Sequence, residues 1–126
     1  MSPGSRGYVS VFVCDDSAAE RFLLGQRIQE HRGLYLAGAA STAFGAVRAI
    51  EATQPDVVIL DHLDHEGDVS VIVAAIREAV PSAKVVIHSA LPEDRIVGVA
   101  SGDAYVRKAM EPDSLWEAID QVAGAG

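Results

Sequence analysis

No run of apolar residues in this chain approaches the roughly 20 that a helix needs to cross a bilayer, so no membrane span is expected. The opening residues, Met1 to Gly7, hold no apolar core of the kind a secretory signal requires. They are rich in Pro, Gly and Ser and read as a flexible leader. Cysteine occurs once, as Cys14 inside an apolar run, which leaves no disulfide framework and reads as inert packing rather than a redox sensor. Basic residues are outnumbered, 10 Lys and Arg against 18 Asp and Glu, for a net charge of -8. A chain so charged repels phosphate backbones, and direct nucleic-acid binding is excluded. These absences together point to the cytoplasm.

What is present fits one globular domain. The chain has 126 residues, 49% of them hydrophobic and 22% charged, enough for a single buried core. Tyr8 to Cys14 is short, β-branched and aromatic, and predicts a buried strand. Asp15-Asp16-Ser17 then supplies a helix cap, because an acid or Ser there accepts an orphan N–H of the first turn. The helix is predicted over Ala18 to His31, with Phe22, Leu23, Gln26 and Ile28 at mainly helical spacing and a stop at Gly33.

The pattern repeats. Leu34 to Ala40 predicts a second strand, and Ser41-Thr42 caps a helix carrying Phe44, Val47 and Ile50 that ends at Pro55-Asp56. Val57 to Leu60 is a third strand running into Asp61, Val69 to Val80 a helix closed by Pro81, and Lys84 to His88 a fourth strand. Ala104 to Val106 is a short fifth strand, and a last helix begins near Pro112, a good first helical residue, and carries Leu115, Ala118, Ile119 and Val122. Gly124 to Gly126 reads as a tail or the start of a linker. Strand and helix alternate, and the strands are almost continuously apolar. That predicts a doubly wound α/β domain, a five-stranded parallel sheet with helices on both faces. Right-handed crossovers place every strand's carboxyl end on one edge, where ligands of open α/β sheets bind.

The predicted strand ends carry the chemistry. Strand one ends in Asp15-Asp16, strand three in Asp61 and strand four in Ser89, and strand five leads to Arg107-Lys108. Clustered carboxylates repel and raise the pKa of at least one of them unless a cation is present. A hard divalent ion with oxygen ligands, Mg²⁺ by default, is the natural partner. Lys108 then suits one phosphoryl oxygen as a point charge, and Ser89 another as a hydrogen-bond donor.

Over about residues 8–123 the chain resembles the receiver domains of two-component response regulators. The likeness is carried by Asp15-Asp16, by Pro55-Asp56-Val57-Val58-Ile59-Leu60-Asp61, by Val85-Val86-Ile87-His88-Ser89-Ala90, and by Gly102-Asp103-Ala104-Tyr105-Val106-Arg107-Lys108. The resemblance implies a flavodoxin-like fold with strand order 2-1-3-4-5 and Asp61 as phosphoacceptor. It also implies Mg²⁺ held by Asp16, Asp61 and the carbonyl of Leu63, with Asp15 assisting. Ser89 and the small Ala90 would attend the phosphoryl group, and Tyr105 would be the aromatic switch. The implied partners are a sensor histidine kinase or phosphotransfer protein, an output domain or effector, and a second copy of the chain. Such a domain is not an enzyme in the ordinary sense, since it promotes only its own phosphorylation and dephosphorylation.

The chain departs from that family in three places. The usual Met-Pro after the phosphoacceptor is replaced by Asp61-His62-Leu63-Asp64-His65-Glu66-Gly67, which invites a Zn²⁺ reading but more simply describes a solvated loop. The stretch from Ser89 to Lys108 is short, and Gly98 and Gly102 weaken its helical segment, Glu93 to Ser101, so the fourth helix is expected to be short or partly melted. Ala109 stands where proline is usual, so the Lys108-Ala109 bond is expected to be trans, because a non-proline cis bond costs about 2.5–4 kcal/mol. A trans bond would keep the Lys108 ammonium beyond salt-bridge distance of Asp61 unless the side chain extends. These departures favour one alternative, a pseudo-receiver that binds partners without phosphorylation. A haloacid-dehalogenase phosphatase wants a second Asp where Leu63 stands, and a cobalamin module wants an Asp-x-His-x-x-Gly loop that is absent. Trp116, beside the Leu115/Ile119 face, is either a core edge or a partner contact.

Overall fold

The computed structural model of the protein describes residues 7–61, 67–108 and 112–124, without the side chains of Phe44 and Pro112. Five strands, β1 (Val9–Cys14), β2 (Leu34–Ala40), β3 (Val57–Asp61), β4 (Lys84–Ser89) and β5 (Ala104–Arg107), form one sheet in the order β2-β1-β3-β4-β5. All four pairings are parallel. Four α-helices connect or follow them: α1 (Ala18–Glu30), α2 (Ala43–Thr53), α3 (Val69–Ala79) and α4 (Pro112–Gly124). The predicted doubly wound fold and strand order are thus observed, and most strand limits fall within one residue of the predicted ones.

Period-two alternation divides the strand side chains between two cores. Phe12, Cys14, Val58, Leu60, Val85 and Ile87 face α2 and α3, with Ala46, Ile50, Ile72 and Ile76 packed against them. Val11, Val13, Val57, Ile59, Val86 and Val106 face α1 and α4, against Leu24, Ile28, Leu115 and Ile119. The single thiol, Cys14, is buried in the first of these.

Helices α1, α2 and α3 each begin where a side-chain oxygen meets an orphan N–H. Ser17 Oγ accepts from Glu20 N at 3.2 Å, Thr42 Oγ1 from Gly45 N at 3.1 Å, and Asp68 Oδ1 from Ser70 N at 2.9 Å. Helix α1 differs from the expectation in the face it buries. Leu24, Gly25 and Ile28 are covered, whereas Phe22 is 67% exposed and Leu23 45%. Gly25 lets the helix settle close on β2, where a Cβ at that position would lie 3.3 Å from Leu36 Cδ2. That approach turns Phe22 outward.

Between β4 and β5 the expected short fourth helix is present only as two 3₁₀ turns, Glu93–Arg95 and Val99–Ser101. Gly98 separates them in the left-handed region, with φ +83. The segment is fastened to α3 by the bond from Val69 N to Val97 O, 3.0 Å. A Cβ at Gly98 would lie 2.0 Å from Asp68 Oδ1 and 2.8 Å from Ser70 N, so the glycine is required by space as well as by backbone angle. Gly98→Ala is expected to destabilise the domain by about 1–3 kcal/mol in urea unfolding. An unchanged midpoint would mean that the segment shifts without cost.

Candidate functional site

Parallel register brings the carboxylates together. Cys14 pairs with Leu60 across β1 and β3, so Asp15 and Asp61 follow side by side at the carboxyl edge of the two central strands. Asp15 is 1% exposed and Asp61 8%, while Asp16 is exposed. One oxygen from each of the three lies within 4.8 Å of the others. The backbone at Asp15 is pinned by Arg21, whose Nη1 donates to the Asp15 carbonyl at 2.7 Å. Asp15 Oδ1 accepts from Ser17 N at 2.9 Å.

Lys108 enters from the far side. It follows β5, and its side chain passes the end of β4 to place Nζ 3.0 Å from Asp15 Oδ2 and 3.1 Å from Asp61 Oδ1, with Glu20 Oε2 as a third partner. Lys108 Nζ thus lies within salt-bridge distance of Asp61, the arrangement that a trans bond was expected to allow only with an extended side chain. The Lys108-Ala109 bond itself lies outside the described residues, as do Leu63 and the histidines His62 and His65.

Burial is the main reason that Asp61 titrates unusually. Its pKa is pushed up to about 7 by desolvation and by the neighbouring charges of Asp15 and Asp16, against the opposing pull of Lys108. Burial acts the same way on Asp15, but the hydrogen bonds it accepts and the ammonium beside it leave it below the usual carboxylate range. The Lys108 ammonium is held protonated by its carboxylates despite partial burial. The buried Asp15 and Asp61, which share the Lys108 ammonium, together with the exposed Asp16 suit a further hard cation and oxygen donors. The residues present fit a divalent metal ion.

Ser89 is 2% exposed at the end of β4, and its Oγ accepts from Leu91 N at 3.1 Å. Ala90 beside it is exposed and leaves the approach open. The Tyr105 hydroxyl donates to the Leu91 carbonyl, so residue 91 holds both expected switch side chains. Trp116 is half-buried, packs at the edge of the core under α1 and α4, and meets the His31 ring at a centroid distance of 4.9 Å. It does not join the carboxylates.

Two site residues went unnoticed in the sequence. Glu20 sits three positions after Ser17, a spacing that reads as a local helix cap and so conceals its reach to Lys108. His88 reads as a strand residue, yet it pairs in register with Asp61 and lines a cavity of about 200 Å³ with Leu23, Leu24, Lys108, Leu115 and Trp116. Its Nδ1 is buried without a hydrogen-bond partner among the described residues. Burial, then the Lys108 charge, lowers its pKa to about 4.

No protein-family profile matches the chain. Individual proteins do. It is 36% identical over 85 residues to a protein-glutamate methylesterase/protein-glutamine glutaminase 2 from Shewanella sp. (strain MR-4), an alignment covering 68% of this chain and 24% of that protein. The chain therefore spans about a quarter of the length of that curated relative. It is 27% identical over 116 residues to the chemotaxis protein CheY of Thermotoga maritima, covering 90% of this chain and 96% of that one. Among solved structures, a LuxR-family DNA-binding response regulator from Staphylococcus aureus superposes with a TM-score of 0.76 at 26% identity, over 91% of this chain and 98% of that one.

The strained carboxylate sets a pH dependence. Because the pKa of Asp61 rises from 3.8 to about 7 on folding, the folded state keeps a proton that the unfolded chain has released, and stability falls as pH rises through that window. In metal-free buffer, Asp61→Asn is expected to stabilise the domain by about 1–3 kcal/mol near pH 8 and by little near pH 4. Equal effects at both, measured by urea unfolding, would show that the carboxylate carries no strain.

Proposed function

We propose that this chain, which belongs to the receiver domains of two-component response regulators, takes a phosphoryl group on Asp61 and acts as a phosphorylation-controlled switch. The observation that carries the proposal is the Asp61 carboxylate at the end of a central strand, beside two more carboxylates and 3.1 Å from the Lys108 ammonium. An Asp61 oxygen attacks the phosphorus of a phosphohistidine donor, the P–N bond breaks, and its electron pair returns to the imidazole. Mg²⁺, held by Asp15, Asp16, Asp61 and the Leu63 carbonyl, would neutralise charge on the phosphoryl oxygens.

The remaining roles belong to the chain's own groups. Lys108 offers a positive charge to one phosphoryl oxygen. Ser89 accepts from Leu91 N, which leaves its own hydroxyl proton available for another oxygen. Moving Ser89 toward the phosphoryl group disturbs Leu91, and with it the Tyr105 hydroxyl bond, so the added charge is felt along β5. The donor on this reading is a sensor histidine kinase or phosphotransfer protein, and the recipient an output domain or effector in the cytoplasm. No helix among the described residues is long and apolar enough to cross a membrane. A second reading, an interaction module that is never phosphorylated, draws support from the two 3₁₀ turns standing in place of the fourth helix.

Acetyl phosphate with Mg²⁺ separates the two. The parent is expected to gain one acid-stable, base-labile phosphate by mass spectrometry, lost in Asp61→Asn and strongly reduced by EDTA. A phosphate that survives in Asp61→Asn moves the site elsewhere, and an unlabelled parent favours the interaction module. Millimolar Mg²⁺ is also expected to raise the melting temperature by binding only the folded state. Asp16→Ala should abolish that rise while relieving charge repulsion in the metal-free domain. A Mg²⁺ response that persists in this variant argues against the site.

A further inference from the structure

Lys108 has three N–H donors, and three carboxylates surround it. Asp15 Oδ2 stands at 3.0 Å and Asp61 Oδ1 at 3.1 Å, and Glu20 Oε2 completes the set. A phosphoryl oxygen on Asp61 that draws on the lysine must therefore displace a present partner. Asp61 carries the incoming group and stays. The Asp15 side chain is 2% exposed and also tied to Ser17 N, so losing the ammonium would leave a buried charge without its counter-ion. The Glu20 side chain is 42% exposed, and water can replace the lysine around it. Glu20 is the partner that lets go at least cost.

The local sequence shows that the Glu20–Lys108 contact is a choice. Ser17-Ala18-Ala19-Glu20 has capping-box spacing, in which the acid turns back to the N-cap N–H. Here Asp15 Oδ1 already takes the Ser17 N–H at 2.9 Å. The Glu20 carboxylate is thereby released from capping duty and engages Lys108 across 88 residues of chain.

We propose that Glu20 is a built-in competitor of the phosphoryl group, a positioning residue that retains Lys108 in the unphosphorylated domain and gives it up on phosphorylation. The inference rests on Asp61 being the phosphoacceptor. Because Glu20 binds Lys108 only in one of the two states, it biases the domain toward the unphosphorylated one.

The test is the affinity of beryllofluoride, a phosphoryl mimic, in the presence of Mg²⁺, measured by calorimetry on the parent, Glu20→Gln, Glu20→Ala and Glu30→Gln. Glu30 is exposed at the far end of α1 and controls for the loss of one negative charge. Both Glu20 variants are expected to bind about two- to fivefold tighter than the parent at low salt, the range of a partly exposed ion pair. The gain should fade near 1 M salt, where the Debye length falls to about 3 Å. A purely structural role would give weaker binding without that salt dependence. Parental binding as tight as that of both variants, a gain that persists in high salt, or an equal gain in Glu30→Gln overturns the competitor role and leaves the phosphoacceptor reading standing. A parent that does not bind beryllofluoride at all removes the phosphoacceptor reading itself.

Discussion

The ammonium of Lys108 is what allows two carboxylates to lie buried side by side at the edge of this sheet. Like charges about 4 Å apart repel by about 4 kcal/mol at an effective dielectric of 20, a large fraction of a small domain's net stability. Burial of Asp15 and Asp61 follows directly from strand order, because β1 and β3 are neighbours at the centre and end together. The lysine has to come from β5, two strands from β3. Its stem crosses the end of β4, which is why His88 feels its charge and why the cavity beneath is lined by residues of α1, β5 and α4. Site and sheet are one construction, and the residual strain sits on Asp61.

The sheet was legible because its strands are short, apolar and bounded by polar or glycine-rich turns. Leu34 to Ala40 came out as predicted, and Val57 to Leu60 needed only Asp61 added. Asp15, Asp16, Asp61 and Lys108 could be gathered on one edge because parallel strands share a direction. What could not be read was rotation and reach. The run Phe22-Leu23-Leu24-Gly25 does not say which side faces the sheet, and a glycine that packs against Leu36 decided it. For Lys108 the sequence left two outcomes open, a distant ammonium or an extended side chain, and Nζ stands 3.1 Å from Asp61 Oδ1. Glu20 was hidden by its own neighbourhood, since spacing from Ser17 names a local partner and the actual one lies just past β5.

The shortened connection between β4 and β5 has an orderly interior. Pro92 precedes the first 3₁₀ turn, and Gly98, in the left-handed region, precedes the second. The segment bonds to the start of α3 through Val69 and Val97. Since α3 follows Asp61 closely in the chain, events at the acidic cluster and in this connection share a mechanical boundary. A full helix is not required to link them.

At the opposite end of β5 the carboxylate of Asp103 accepts from Val85 N at 2.7 Å and from Arg77 at 3.1 Å, and Arg77 also donates to the Ser101 carbonyl at 2.8 Å. The entrance of the last strand is thereby clamped to both β4 and α3. Its exit is held by the Lys108 N to Ser89 O bond, the Tyr105 hydroxyl and the lysine's ion pairs. Every one of those exit contacts ends at a group beside the acidic edge. The strand is a cantilever, anchored at Asp103 and held at its tip by groups of the acidic edge, so a force arising at that edge acts on the tip while the root stays clamped.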